Sequence, residues 1–112
     1  MIMPPQFEIQ SEMTQGTGRL VVSGELDLAT VPRLSAEADA LLGQSPRHLI
    51  LDLSRMTFVD SSGLSLFIAL NDRAAHEDWT LSLTKPSGRA FSVFSITGTD
   101  EHLPFIDDQS QR

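Results

Sequence analysis

The 112-residue chain is predicted to fold as an α/β domain, with a mixed, mostly parallel sheet flanked by about three to four helices in the order β-β-α-β-α-β-α-β. Three observations carry that expectation. Short segments that alternate apolar and polar residues, or run apolar throughout, are separated by stretches long enough for parallel crossovers. Those stretches show helical spacing and are bounded by residues that start and stop helices. The length supports one core and not two, so residues 1–112 read as a single domain with its core over about residues 7–106.

Phe7-Glu8-Ile9-Gln10 alternates apolar and polar, and Met13 continues the parity. Gln15-Gly16-Thr17-Gly18 supplies turn chemistry before a second strand, Arg19-Leu20-Val21-Val22-Ser23, so the pair reads as a hairpin. After Gly24-Glu25-Leu26-Asp27, Thr30 is placed to cap a helix that tolerates Pro32 in its first turn. Leu34, Ala38, Leu41 and Leu42 form its apolar face, and Gly43 fits the stop. His48-Leu49-Ile50-Leu51-Asp52-Leu53 is nearly continuous apolar sequence, as expected of a central strand covered on both faces. A second helix follows Ser61 and turns polar at Asn71-Asp72-Arg73. Trp79 to Leu83 alternates as a strand. Pro86-Ser87 then opens a third helix, with Ala90, Phe91 and Phe94 toward the core and Val93 a fourth candidate. Gly98 ends it, and Leu103 to Ile106 reads as a short last strand that Pro104 marks as an edge strand or as no strand at all. Residues 1–5 and the polar tail Asp107 to Arg112 are expected to be flexible.

A net charge of −7, with the eight cations scattered singly, argues against a nucleic-acid backbone as partner. The absence of cysteine removes disulfides, thiolate catalysis and Cys-based metal sites, and no histidine spacing suggests a metal. The longest apolar run, Leu66 to Leu70, is far too short for a membrane span, and the N-terminus lacks the features of a signal peptide. The expected location is the cytoplasm, with no membrane partner and no cofactor.

The chemistry concentrates in Asp60-Ser61-Ser62-Gly63, between an apolar strand and an apolar helix. Such turns lie at the carboxyl ends of the strands, where ligands bind in open α/β sheets. If the second and third strands are parallel neighbours, Asp27 approaches Ser61. Gly63 would then leave the backbone N–H groups of the first turn open to a partner or a phosphate. The plain alternative is that Ser61 or Ser62 caps the helix, contributing about 1 kcal/mol, while Asp60 or Asp27 favours its dipole. Both readings are compatible, since a capping hydroxyl can also be phosphorylated. Catalysis by the serine would need a base within hydrogen-bond reach. His48 lies roughly 15 Å away along its strand, and His76 about 22 Å along the helix. His102 has no evident orienting partner, and the surroundings are not a Gly-x-Ser-x-Gly elbow.

Gly24-Glu25-Leu26-Asp27, Leu49-Ile50-Leu51-Asp52-Leu53, Phe58-Val59-Asp60-Ser61-Ser62-Gly63-Leu64 and Pro86-Ser87 with Val93-Phe94-Ser95-Ile96-Thr97-Gly98 occur in register. Together they resemble the anti-sigma factor antagonists, small bacterial STAS-domain proteins, from about Phe7 to Ile106. The resemblance implies a STAS-like sandwich and a binding protein rather than an enzyme. It implies that Ser61 accepts a phosphate from an anti-sigma factor that is also a GHKL-type serine kinase, and that a PP2C-type phosphatase removes it. It further implies that the unphosphorylated form binds the anti-sigma factor and frees the sigma factor. Asp27, Asp60, Ser62, Gly63 and Glu25 would lie in the contact with that partner. A monomer or weak dimer is compatible with this role.

One departure is His76-Glu77-Asp78-Trp79, where members of the family often carry a glycine pair; Trp79 there reads as packing. The alternative function is a non-switching STAS subunit of a larger complex, such as a lipid-transport ATPase or a stress-sensing assembly. A stand-alone serine hydrolase is disfavoured by the histidine distances.

Overall fold

The computed structural model describes residues 6–106, so the flexibility expected of residues 1–5 and 107–112 falls outside it. Five strands, β1 (Phe7–Thr14), β2 (Thr17–Leu26), β3 (His48–Val59), β4 (Thr80–Thr84) and β5 (Phe105–Ile106), form one sheet in sequence order. Helices α1 (Val31–Leu42), α2 (Ser61–Glu77) and α3 (Gly88–Thr97) connect the parallel strands. β1 and β2 pair antiparallel, and every later pair is parallel. The predicted element order is therefore observed, with a short 3-10 turn over Thr99–Glu101 added before β5.

The hairpin turn is tighter than the four residues expected. Gln15 and Gly16 alone make it, with φ of 51° and 84°, the left-handed pair that matches strand twist in two-residue hairpins. The three parallel crossovers all advance in one direction across the sheet, and right-handed crossovers then place every helix on the same face. Under that face Leu20, Val22, Leu49, Leu51, Leu53, Leu83, Phe67 and Phe94 are fully or almost fully buried. Phe94 of α3 stacks on Phe67 of α2 with centroids 6.1 Å apart, and Phe105 meets Phe94 edge-on at 5.3 Å. Each such aromatic contact adds about 0.5–1.5 kcal/mol beyond the area it buries.

The expectation that β3 is covered on both faces is corrected. Leu49, Leu51 and Leu53 face the helices, whereas Ile50 is only half-buried and Asp52 is held by polar partners. Asp52 accepts from the Arg19 guanidinium at 2.7 Å, from the Thr84 hydroxyl at 2.9 Å, and from the Ser54 N–H and hydroxyl at 3.0 and 2.6 Å. Burial alone would raise the pKa of this carboxyl. The Ser54 and Thr84 hydrogen bonds and the Arg19 charge outweigh burial and hold it below the usual carboxylate range.

Two strands are longer than expected. β2 continues through Glu25 and Leu26, which pair with Phe58 and Val59. β3 continues six residues past Leu53 and gains one residue on β2 at each of two register shifts, after Asp52 and after Met56. Each extra residue turns the buried set out of period two, which is why the alternation in the sequence ends at Leu53. Asp52 pins the first shift through the Ser54 N–H.

Candidate functional site

The parallel pairing of β2 with β3 brings both turns to one end of the sheet, as expected. Leu26 lies opposite Val59, and the Asp60 N–H donates to the Leu26 carbonyl at 3.2 Å. Asp27 and Asp60 are thus the next residues along neighbouring strands, and each carboxylate organises its own turn. Asp27 Oδ1 accepts from the N–H groups of Ala29 and Thr30 at 3.0 and 3.2 Å. Thr30 is the N-cap residue of α1, but its hydroxyl does not cap. It accepts from the Asp27 N–H at 2.9 Å and donates to the Glu25 carbonyl at 3.0 Å, closing the loop between β2 and α1. The Glu25 side chain is exposed.

Asp60 is the N-cap of α2, which corrects the expectation that Ser61 or Ser62 would be. Its backbone is extended, and Oδ1 accepts from the N–H groups of Ser62 and Gly63 at 2.9 and 3.2 Å. The Ser62 hydroxyl donates to the same oxygen at 2.5 Å. The Leu28 N–H adds a smaller favourable interaction with the carboxylate, and the Asp60 N–H bond to the Leu26 carbonyl joins the end of β2 to the start of α2. The Ser62 hydroxyl foremost, with the N–H groups of Gly63, Ser62 and Leu28 adding to it, outweighs burial and holds the Asp60 carboxyl below its usual value.

A carboxyl depressed on folding stabilises the protein above its unfolded-chain pKa, and that contribution is lost as the pH falls below it. For Asp60 the reference is 3.8. Asp60→Ala is expected to lower stability by about 0.5–2 kcal/mol at neutral pH, the range for lost caps. Urea unfolding of both proteins at a series of pH values should show the gap narrowing below pH 4. A gap that stays constant on acidification would remove the carboxylate from this role.

Gly63 is buried, and its N–H is taken by Asp60, so it does not hold the backbone open for a partner as expected. A Cβ at this position would lie 2.7 Å from Val59 Cγ2 and 2.9 Å from Leu26 Cδ2. Glycine is required here because the first turn of α2 presses on the ends of β2 and β3.

Ser61 is left with the opposite character from Ser62. It is exposed at the first position of α2, and its hydroxyl bonds to none of the described residues. Two histidine rings are engaged elsewhere: His48 bonds Ser82 Oγ at 2.8 Å at the other end of the sheet, and the His76 ring bonds the Asp72 carbonyl at 2.8 Å. The His102 carbonyl accepts from Asn71. Asp52 is not part of this site and belongs to the Arg19 network. The site therefore offers an exposed hydroxyl next to the Asp60 carboxylate, at the same edge of the sheet as the Asp27 turn.

Sequence reasoning missed Leu28. It is 77% exposed, on a loop held by the Asp27 carboxylate, which accepts from the N–H groups of Ala29 and Thr30. A leucine in the polar stretch between the second strand and the first helix was the available signal.

A family model described as "Mlab, STAS domain" matches residues 9–106. An anti-sigma-B factor antagonist from Staphylococcus aureus is 32% identical over 77 residues, which are 69% of this chain and 71% of the relative. The crystal structure of an anti-sigma factor antagonist from Mycobacterium paratuberculosis superposes with a TM-score of 0.77 at 27% identity, covering 93% of this chain and 89% of that one. The Bacillus anti-sigma factor antagonist SpoIIAA in its unphosphorylated form is similar at 26% identity and a TM-score of 0.75, covering 89% of this chain and 87% of the other. In its phosphorylated form the TM-score is 0.68, again at 26% identity, covering 89% and 90%. By sequence, by sheet order and by these relatives, the chain belongs to the STAS-domain family of anti-sigma factor antagonists.

Proposed function

We propose that this protein is an anti-sigma factor antagonist whose unphosphorylated form binds an anti-sigma factor, and that phosphorylation of Ser61 by that partner releases it. The observation that carries the reading is the division of labour at the start of α2. Asp60 performs the capping and engages Ser62, which leaves the Ser61 hydroxyl exposed and unbonded among the described residues. A residue needed for the cap could not be modified without loosening the helix; Ser61 is spared that role. Both SpoIIAA structures, phosphorylated and not, keep the fold found here, which supports a modification that leaves the architecture in place. The contact surface includes Asp27, Asp60, Ser62 and Glu25 around that hydroxyl, with exposed Leu28 as its apolar part, while buried Gly63 shapes it from beneath. A GHKL-type kinase domain in the anti-sigma factor and a PP2C-type phosphatase complete the cycle.

The test is incubation with the cognate anti-sigma kinase and ATP, followed by peptide mass spectrometry. A gain of one phosphate on Ser61, absent in Ser61→Ala, is the expected result. Phosphate on Ser62, or none at all, would remove the switch; the latter would favour the non-switching subunit of a larger complex.

A further inference from the structure

At the pole of the molecule opposite Ser61, the ends of α1 and α2 and the starts of β3 and β4 border an open pocket of about 330 Å³, with Arg47, Glu77 and Asp78 exposed at its rim. That is the lower end of the range of small-molecule sites, about 300–1,000 Å³. Leu42, Arg47, Glu77, Asp78 and Trp79 line it. Its charges are of both signs. Glu77 is occupied, with one oxygen accepting from the Trp79 indole N–H at 3.1 Å and the other from Arg73 at 3.2 Å. Arg47 and Asp78 border the same space with opposite charge, yet they form no ion pair with each other or with any other described residue.

Two further features define what would fit. The cavity lies at the carboxyl ends of two helices, where the dipoles are negative and favour a cation. Trp79 is half-buried and packs partly on the core, as its sequence reading held, and it also lines the opening. An anion alone would meet the helix ends, Glu77 and Asp78. A cation alone would make no use of the Arg47 guanidinium. A molecule carrying both charges would bridge the two side chains, with Leu42 and the indole offering apolar surface to its body.

We propose that this cavity binds a small zwitterion of the α-amino-acid type, its carboxylate on the Arg47 guanidinium, its ammonium toward Asp78 and its apolar side chain against Leu42 and Trp79. The site is about 24 Å from Ser61, the length of α2 at 1.5 Å per residue. It is independent of the phosphorylation reading.

Trp79 is the only tryptophan and the chain has no tyrosine, so its emission reports on this site without interference. L-leucine, L-methionine and L-phenylalanine would be titrated separately into the full-length protein, with isoamylamine and 4-methylpentanoate as analogues lacking one charge. At least one amino acid should give a saturable change in emission, together with a shift of the single indole N–H resonance. Its half-saturation should weaken about tenfold or more in Arg47→Gln and in Asp78→Asn. Asparagine is chosen because Asp78 has a φ of 65°, which asparagine also adopts. Absence of saturation by any of the three up to about 10 mM would overturn the proposal. So would equal binding of either singly charged analogue, or unchanged affinity in both variants. Circular dichroism of the variants separates loss of binding from loss of fold.

Discussion

Gly24→Ala is expected to lower the unfolding free energy by about 2–4 kcal/mol, combining left-handed strain with overpacking. Gly24 lies in β2 with a φ of 92°, a conformation that side chains rarely adopt. An added Cβ would lie 1.9 Å from the Gln6 carbonyl oxygen and 2.7 Å from its carbon. Those are backbone atoms, so no rotamer change relieves the clash. The Gln6 carbonyl also accepts the Glu25 N–H at 2.8 Å, so moving it aside breaks that bond as well. The loss is a large share of the roughly 5–15 kcal/mol typical of a domain. Urea unfolding should show a lower midpoint with an unchanged slope. Gly88→Ala is the matched control: a Cβ there meets nothing within 4 Å, and φ is outside the strained range. Alanine should be neutral or slightly stabilising at that position. Equal losses at Gly24 and Gly88 would mean that the close approach of β1 to β2 is not what Gly24 serves.

That glycine also shows where the sequence was readable and where it was not. Gly24 appeared only as part of a turn leaving the second strand, because glycine followed by a charge ordinarily ends a strand. In the structure β2 runs on for two more residues, since Glu25 and Leu26 find partners in the bulged half of β3. A bulge arises from pairing between strands distant in sequence and leaves no local period to detect. The helices were more legible because their signals are local: Leu34, Ala38 and Leu41 sit on one face of α1, and Gly98 ends α3 with a φ of 78°. The juxtaposition of Asp27 with Asp60 was legible too, because parallel neighbours place successive turns on one edge. The division of roles within Asp60-Ser61-Ser62-Gly63 was not. Any of the first three residues can cap, and only the observed backbone shows the Asp60 carboxylate reaching both N–H groups. Gly63 was misassigned for a related reason: the pressure on it comes from Val59 and Leu26, which belong to two other elements.

Phosphorylation of Ser61 is expected to weaken binding to the anti-sigma partner by about 30-fold or more while leaving the fold nearly as stable as before. The modification adds about −1.5 to −2 charge at pH 7. A helix N-terminus ordinarily absorbs such charge by donating its free N–H groups. Here those of Ser62 and Gly63 already serve the Asp60 carboxylate, and that of Leu64 serves the Asp60 carbonyl at 3.1 Å. Of the helix's first four N–H groups, only that of Ser61 itself remains outside these bonds. The phosphate is therefore left toward solvent beside Asp60 and Asp27, where it adds to negative charge instead of being neutralised. Water tolerates that arrangement, so the unfolding temperature should move by less than about 4 °C, equivalent to under 1 kcal/mol for a domain of this size. A docked partner does not tolerate it, because an unpaired charge buried in an interface costs about 2–5 kcal/mol. Calorimetric titration of both forms, paired with thermal unfolding, separates the two effects. Ser61→Ala should bind like the unmodified protein, and Ser61→Asp should fall between it and the phosphorylated form, carrying a single charge on a shorter arm. Unchanged affinity on phosphorylation would place the partner's contact away from α2. A large fall in unfolding temperature would mean instead that the phosphate displaces Asp60 from its cap, and that the switch acts through the fold.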